Sequence, residues 1–267
     1  LPRVPFQVDG QPVGSVAAAH LEALRAWPDV LQVSDEAVQL HADARTRESA
    51  LARVHEALRA QGLIRAWRDE AFPLYGADGR QVLVRIERAA ARFWGALTRG
   101  AHANGYVADA GGRPTHLWIA TRAADKATDP GLRDNLVGGG VPLGQTPLQT
   151  LVREGWEEAG LTPELMQRAV PGRILRIDRD AAEGRMLEHV HVFDLALSAD
   201  VVLVNQDGEV VAIDCLPVAE AVALAAGDAM TVDAALVTLD FLLRHRLLPP
   251  DEHAVLAARA AALWVGV

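Results

Sequence analysis

The stretch that decides the fold is Gly138–Leu161, GGGVPLGQTPLQTLVREGWEEAGL. Thr146 suits a helix N-cap, Pro147 suits the first helical position, and Gly160 suits the C-terminal cap, so a helix of about a dozen residues is predicted between them. At 100° per residue, Leu148, Leu151, Val152, Gly155 and Ala159 share one face, which is predicted to pack on a sheet. Glu154, Glu157 and Glu158 gather on another face. Arg153 stands four residues before Glu157, within reach of an ion pair. Three carboxylates near a helix C-terminus repel each other and also meet the negative end of the macrodipole. A hard divalent cation offsets both effects, because magnesium takes carboxylate oxygens together with water and phosphate. A solvated acidic face is the plainer reading of such a cluster. The glycine run entering the helix argues against it, since glycine lets backbone approach a ligand closely.

Outward from this helix, the chain has 267 residues, half of them apolar, with a formal net charge of -9. That composition fits a globular protein with a real core and excludes a broad phosphate-tracking surface for DNA or RNA. An acidic protein that handles phosphates needs a cation between its carboxylates and the substrate. The lone Cys215 leaves no internal disulfide and fits a reducing compartment. No apolar run approaches a membrane span, and the first residues lack a basic-then-apolar signal pattern, so a cytoplasmic protein without a membrane partner is expected.

The pattern along the chain is α+β. Helical spacing is read at Val16–Trp27, Thr46–Gln61 with Gly62 as its cap, Arg88–Leu97, Val232–His245 and Glu252–Leu263. Strand patterns are read at Gln81–Glu87, Arg173–Ile177, Met186–Leu197 and Glu209–Asp214. A hairpin is read from Tyr106–Ala108 and His116–Thr121 around the turn Asp109–Pro114. The texture changes near Gly105, which divides the chain into residues 1–105 and 106–267.

Gly139, Arg153, Glu154, Glu157, Glu158, Gly160 and Leu161 resemble the Nudix box, G-x5-E-x7-R-E-U-x-E-E-x-G-U, with the spacing kept throughout. Two positions depart from it. Gln145 stands at the first glutamate, and Gly155 stands where a bulky apolar residue is usual and should loosen the helix. Further segments, among them Arg65–Glu70, Ile86–Ala89, His102–Val107 and Lys126–Gly139, are similar to the Nudix subfamily with a DUF4743-type N-terminal domain, a subfamily that includes the domain fused to thiamine pyrophosphokinase.

That resemblance implies a Nudix α/β/α sandwich with a mixed sheet, preceded by a smaller α+β domain. It implies a hydrolase using Mg2+, with Mn2+ as a substitute. The substrate would be a small-molecule diphosphate resembling thiamine diphosphate or its oxidised forms, cut to the monophosphate. Glu154, Glu157, Glu158 and Arg153 are the implied catalytic residues. The same glutamates with Gly139, and Glu209 from outside the box, are the implied metal site, and Glu188 is a weaker rival to Glu209. Arg122 and Lys126 suit a diphosphate grip because both side-chain types bind phosphate. Asn135, Gly138 and Gly140 complete the expected substrate contacts. Self-association as a homodimer is left open.

Other residues carry weaker signals. His189 and His191 share a strand face and could begin a zinc site, but no third ligand is evident and a polar strand face is the simpler reading. Trp67, Trp118 and Trp156 could offer a stacking platform, although core packing explains each. An isomerase on the same fold would need Cys215 at its site, and a non-catalytic binding module would keep the fold without turnover.

Overall fold

The alternation of apolar residues in the first hundred positions builds strands more often than helices. The computed structural model describes residues 1–126 and 128–266, and the chain divides into two units. The first comprises Leu1–Thr98, Pro142–Gly144 and Ile177–Glu188; the second comprises Arg99–Val141, Gln145–Arg176 and the residues from His189 on. The change placed near residue 105 lies inside a continuous strand, while the compact units part at Thr98 and Arg99.

In the first unit, β1 (Arg3–Val8), β2 (Gln11–Ala17), β3 (Leu31–Val33) and β4 (Val38–Leu40) form a sheet of order β2-β1-β4-β3, with β1 and β4 parallel. The helix read at Val16–Trp27 is only α1 (Leu21–Arg25). Val16 and Ala17 instead finish β2, where Val13 and Val16 are buried. α2 (Arg47–Ala60) sits where the spacing put it, and Gly62 follows with φ 72°. β5 (Ala71–Tyr75) and β6 (Val82–Glu87) form a separate antiparallel pair. α3 (Ala90–Phe93) is a single turn rather than the ten-residue helix expected. The core gathers Phe6, Leu24, Leu51, Leu58, Leu74, Phe93 and Trp94, and the Phe6 and Trp94 rings stack at 4.2 Å.

A seven-stranded sheet carries the second unit, while Ile177–Glu188, from two of its strands and their turn, group with the first. Its strands are β7 (Leu97–Ala108), β8 (Pro114–Arg122), β9 (Arg133–Asn135), β10 (Val137–Gly140), β11 (Val170–Ala181), β12 (Gly184–Ala196) and β13 (Val210–Pro217). The order is β11-β12-β7-β8-β13, with β10 on β7 and β9 on β8. β7 and β8 make the expected hairpin, whose turn is held by Asp109 Oδ1 accepting from Gly111 and Arg113 N–H. The helices are α4 (Pro147–Ala159), α5 (Pro163–Met166), α6 (Val218–Ala225), α7 (Val232–Arg244) and α8 (Pro250–Ala260).

Strand periodicity explains the layering. Successive side chains on β8 point to opposite faces. Trp118 joins the core of α4 and α5, whereas Leu117 and Ile119 join that of α6 and α7. On β7, Ala101, Ala103 and Val107 face the first core and Tyr106 the second. Helices therefore cover both faces of one sheet. Among the described residues no helix is long and apolar enough to cross a membrane.

Candidate active site

α4 is fixed at both ends by local chemistry. The Thr146 hydroxyl accepts from Gln149 N–H, and the Gln149 side chain accepts from Thr146 N–H, closing a capping box. Gly160 ends the helix in the left-handed region at φ 65°. Gln145 keeps an acceptor at its position, since Thr150 Oγ1 donates to its Oε1 at 3.0 Å. Gly155 does not loosen the helix as expected. Met166 from α5 is fully buried against it, and a Cβ at Gly155 would lie 2.6 Å from the Met166 sulfur. The apolar volume missing from α4 is supplied by α5.

Two box carboxylates lie on consecutive glycines of β10. Glu158 Oε2 accepts from Gly138 N–H at 2.9 Å. A Cβ on Gly139 would stand 2.2 Å from Glu154 Oε1, so only glycine admits the carboxylate there. The pleat turns Gly138 the other way, where its Cβ would meet the His102 ring at 2.7 Å. Gly140 is buried opposite Gly100 on β7. Glu154 and Glu158 are only 8% and 7% exposed.

Burial pushes the Glu158 carboxyl well above the ordinary range, and the charge of Glu154 adds to this; Gly138 N–H and Lys126 oppose it, while Asp134 contributes in the same direction as Glu154. Arg153 bridges the helix face, donating to Glu157 Oε2 and to Glu154 Oε1 at 2.7 Å each. Among the described residues no three His, Cys, Asp or Glu side chains converge as a ready-made metal cage. Magnesium does not require one, because it keeps several waters and takes one or two carboxylates plus phosphate oxygens. A buried, mutually repelling pair of hard oxygen donors, cradled where a Cβ would intrude, fits such an ion.

The loop before β13 carries Glu209, the acid expected from outside the box, and ties to the end of α4. Asn205 Nδ2 donates to the Glu157 and Glu158 carbonyls at 3.3 and 3.4 Å. Val204 N–H bonds Ala159 O and Gln206 N–H bonds Glu157 O, so residues 204–206 satisfy the carbonyls ending α4. Asp207 Oδ1 then accepts from Glu209 N–H, and Glu209 pairs with the Lys126 ammonium. Lys126 and Glu209 thus meet beside Glu158, the residue whose carboxyl Lys126 acts on. Asn205, Asp134 and Met166 carried no motif in the sequence.

Two expected substrate contacts are placed elsewhere. Arg122 donates to Asp134 Oδ2 at 2.8 Å and to the Asp129 and Thr128 carbonyls, so its guanidinium staples the loop before β9. Asn135 is 2% exposed, and its amide is taken by His102, Asn104 and Thr238. It belongs to the packing beneath α7, so its polar atoms face protein partners. Glu188 groups with the first unit and the box helix with the second. Cys215 packs in the α4 core with its thiol pushed up by burial, which suits no nucleophile. Trp118 is core and Trp67 bonds Asp69, while Trp156 is 51% exposed on α4.

The comparisons with known proteins part the chain at residue 98. The NUDIX domain profile matches residues 98–236, and a profile described as a domain of unknown function, DUF4743, matches residues 2–98. Nudix hydrolase 24, chloroplastic, of Arabidopsis thaliana is 34% identical over 259 residues, spanning 93% of this chain and 69% of that protein. Nudix hydrolase 20, chloroplastic, of the same organism is 33% identical over 264 residues with the same coverage. Among solved structures, DR0079 from Deinococcus radiodurans is similar at 23% identity and a TM-score of 0.48, covering 63% of this chain and 97% of its own.

Proposed function

This chain belongs to the Nudix hydrolase family, and on that premise we propose that it cleaves a diphosphate linkage with a divalent metal, Mg2+ or Mn2+, held by Glu154, Glu157 and Glu158. The observation that carries this reading is the pair Glu154 and Glu158, buried against Gly139 and Gly138 of β10. When bound, the metal would neutralise phosphate oxygens and lower the pKa of the attacking water.

The chain's own residues supply the rest. Arg153 fixes the rotamers of Glu154 and Glu157, which keeps their outer oxygens in one direction. Gly138 N–H anchors one oxygen of Glu158 and leaves the other for ligation. Glu154 is our choice of general base. It would take a proton from water as the new P–O bond forms and the bridging P–O bond breaks. Lys126, held by Glu209, would meet the substrate phosphates once they compete for its ammonium. Glu209 would then join the carboxylates around the metal.

The finer proposal is a substrate of the thiamine diphosphate type, including its oxidised analogues, released as the monophosphate. Its support is the match of the DUF4743 profile over residues 2–98 and the resemblance of the N-terminal segments. A cytoplasmic setting draws support from the lone Cys215, whereas the two Arabidopsis relatives are named chloroplastic. A magnesium-dependent screen of thiamine, nucleotide, sugar and coenzyme diphosphates tests the assignment. Preferred turnover of thiamine or oxothiamine diphosphate is expected. Preference for ordinary nucleoside triphosphates would overturn the substrate, and silence across the panel would overturn the reaction.

A further inference from the structure

The side of the second unit's sheet that faces α4 changes character along its length. Phe193 and Leu195 of β12 and Ala101 and Ala103 of β7 lie in the core beneath α4 and α5. β7 and β12 are neighbours and run in the same direction, because their ties ascend together: Thr98 to Leu187, Asn104 to Asp194, and Tyr106 to Leu197. Five residues back from Asn104 and Asp194 stand Arg99 and His189, side by side on the two strands. Strand parity puts Arg99, His189 and His191 on the face of Ala101, Phe193 and Leu195. On β11, Arg176 is exposed between buried Leu175 and Ile177, on the side away from them. The apolar floor under α4 therefore becomes basic in a chain whose net charge is -9.

The charges act on one another. Burial, then Arg176 and Arg99, lowers the His189 imidazole; burial, then Arg99 and His189, lowers that of His191 to about 4. Both rings are half-buried and neutral near pH 7, with N–H groups to donate. Arg99 and Arg176 also engage other groups, and a guanidinium has five donors to share. This floor adjoins the carboxylates: Ala101 pairs with Gly139, on which Glu154 lies, and Arg99 is two residues, about 7 Å, along the same strand. A guanidinium on its long side chain can reach across that separation to a phosphate next to one held at the carboxylates.

We propose that Arg99, His189 and His191, with Arg176 at the rim, bind an unesterified terminal phosphate, so that the preferred substrates are diphosphate monoesters. This rests on the reading that the carboxylate helix cleaves a diphosphate. A terminal phosphate carries more charge than an esterified one and accepts from several donors at once, which two guanidiniums and two imidazole N–H groups match. A linkage esterified on both sides offers the floor less charge and brings a substituent to it.

The test separates the floor from the catalytic helix. Inorganic phosphate is titrated into the full chain without metal while the ring resonances of His189 and His191 are followed by NMR. Saturable shifts are expected in the wild type, weakened about tenfold or more in Arg99→Gln and kept in Arg99→Lys, with thermal melting as the check on folding. Magnesium-dependent kinetics then compare a diphosphate monoester with a substrate esterified at both ends. Arg99→Gln should raise KM for the first while leaving kcat and the second substrate nearly unchanged. Unmoved histidine resonances, or equal loss on both substrates, overturns the floor even where hydrolysis is robust. Phosphate binding without any diphosphate turnover overturns the catalytic reading and leaves the floor standing.

Discussion

The two units bury polar groups in different ways. The first buries one notable pair: Trp94 Nε1–H donates to His55 Nε2 at 2.8 Å inside an aromatic cluster. Burial holds that imidazole near pKa 4, so it stays neutral. The second unit buries charges. Asp194 accepts from Arg244, His245 and Asn104, Asp240 accepts from Arg244 and Arg173, and Glu154 and Glu158 are buried on the box helix. A neutral buried group needs one partner, whereas a buried charge needs a network or a ligand. Asp194 and Asp240 have the network. Glu158 has one N–H and the charge of Lys126 against burial, Glu154 and Asp134, and the balance marks it as the place where the fold stores unfavourable charge for use.

The sharpest break of this contrast is Asp194→Ala. It takes the carboxylate from His245 and leaves Arg244 with Asp240 alone, and urea denaturation should show a loss of about 3–5 kcal/mol, with failure to fold as the extreme. A loss under ~1 kcal/mol would mean that the network is decorative. Gly155→Leu comes next. Its side chain would enter the space of Met166, costing up to about 3 kcal/mol, and Met166→Ala in the same chain should recover much of that.

The first unit predicts a pH effect of smaller size. His55 has a folded pKa of about 4 against 6.5 for a free imidazole, so the unfolded chain binds more protons between those values. Stability should fall as pH drops through that window, by ~2 kcal/mol at pH 5, and His55→Gln should flatten the profile there. An unchanged profile would place the acid sensitivity elsewhere. Asn205→Ala removes donors from the end of α4 and should cost only about 1 kcal/mol, while lowering turnover more than that loss explains, because Glu209 hangs from the same loop. Loss of stability alone would reduce Asn205 to a helix cap.

The sequence made α4 legible because its signals are local: an N-cap threonine, a proline, a terminal glycine and an i, i+3, i+4 carboxylate pattern all lie within one segment. The pairing of Lys126 with Glu209 was visible only as two separate candidates, since 83 residues separate them and the loop that joins them acts through backbone carbonyls. Asn135 looked like a substrate contact for its place beside the glycine run. Strand parity sends it under α7 instead, which a three-residue strand gives too little periodicity to foretell. Val16–Trp27 misled in the opposite way. Val16 and Leu24 are both buried, but one ends a strand and the other belongs to a helix of five residues, too short to show its own period. Gly155 read as a flaw only because Met166, which fills it, comes from another helix.

The most direct test of the carboxylate site is Glu158→Gln in the full chain, comparing magnesium-dependent hydrolysis on the best diphosphate of the panel with melting temperature, with and without the metal. The raised folded pKa of Glu158 means that its charge costs stability as pH rises above the ordinary glutamate value. The neutral amide should therefore melt higher than the wild type in metal-free buffer at neutral pH, while losing the stabilisation that magnesium gives the wild type. Turnover should fall by about a thousandfold. Wild-type turnover in Glu158→Gln, or equal stabilisation of both proteins by magnesium, would contradict the assignment.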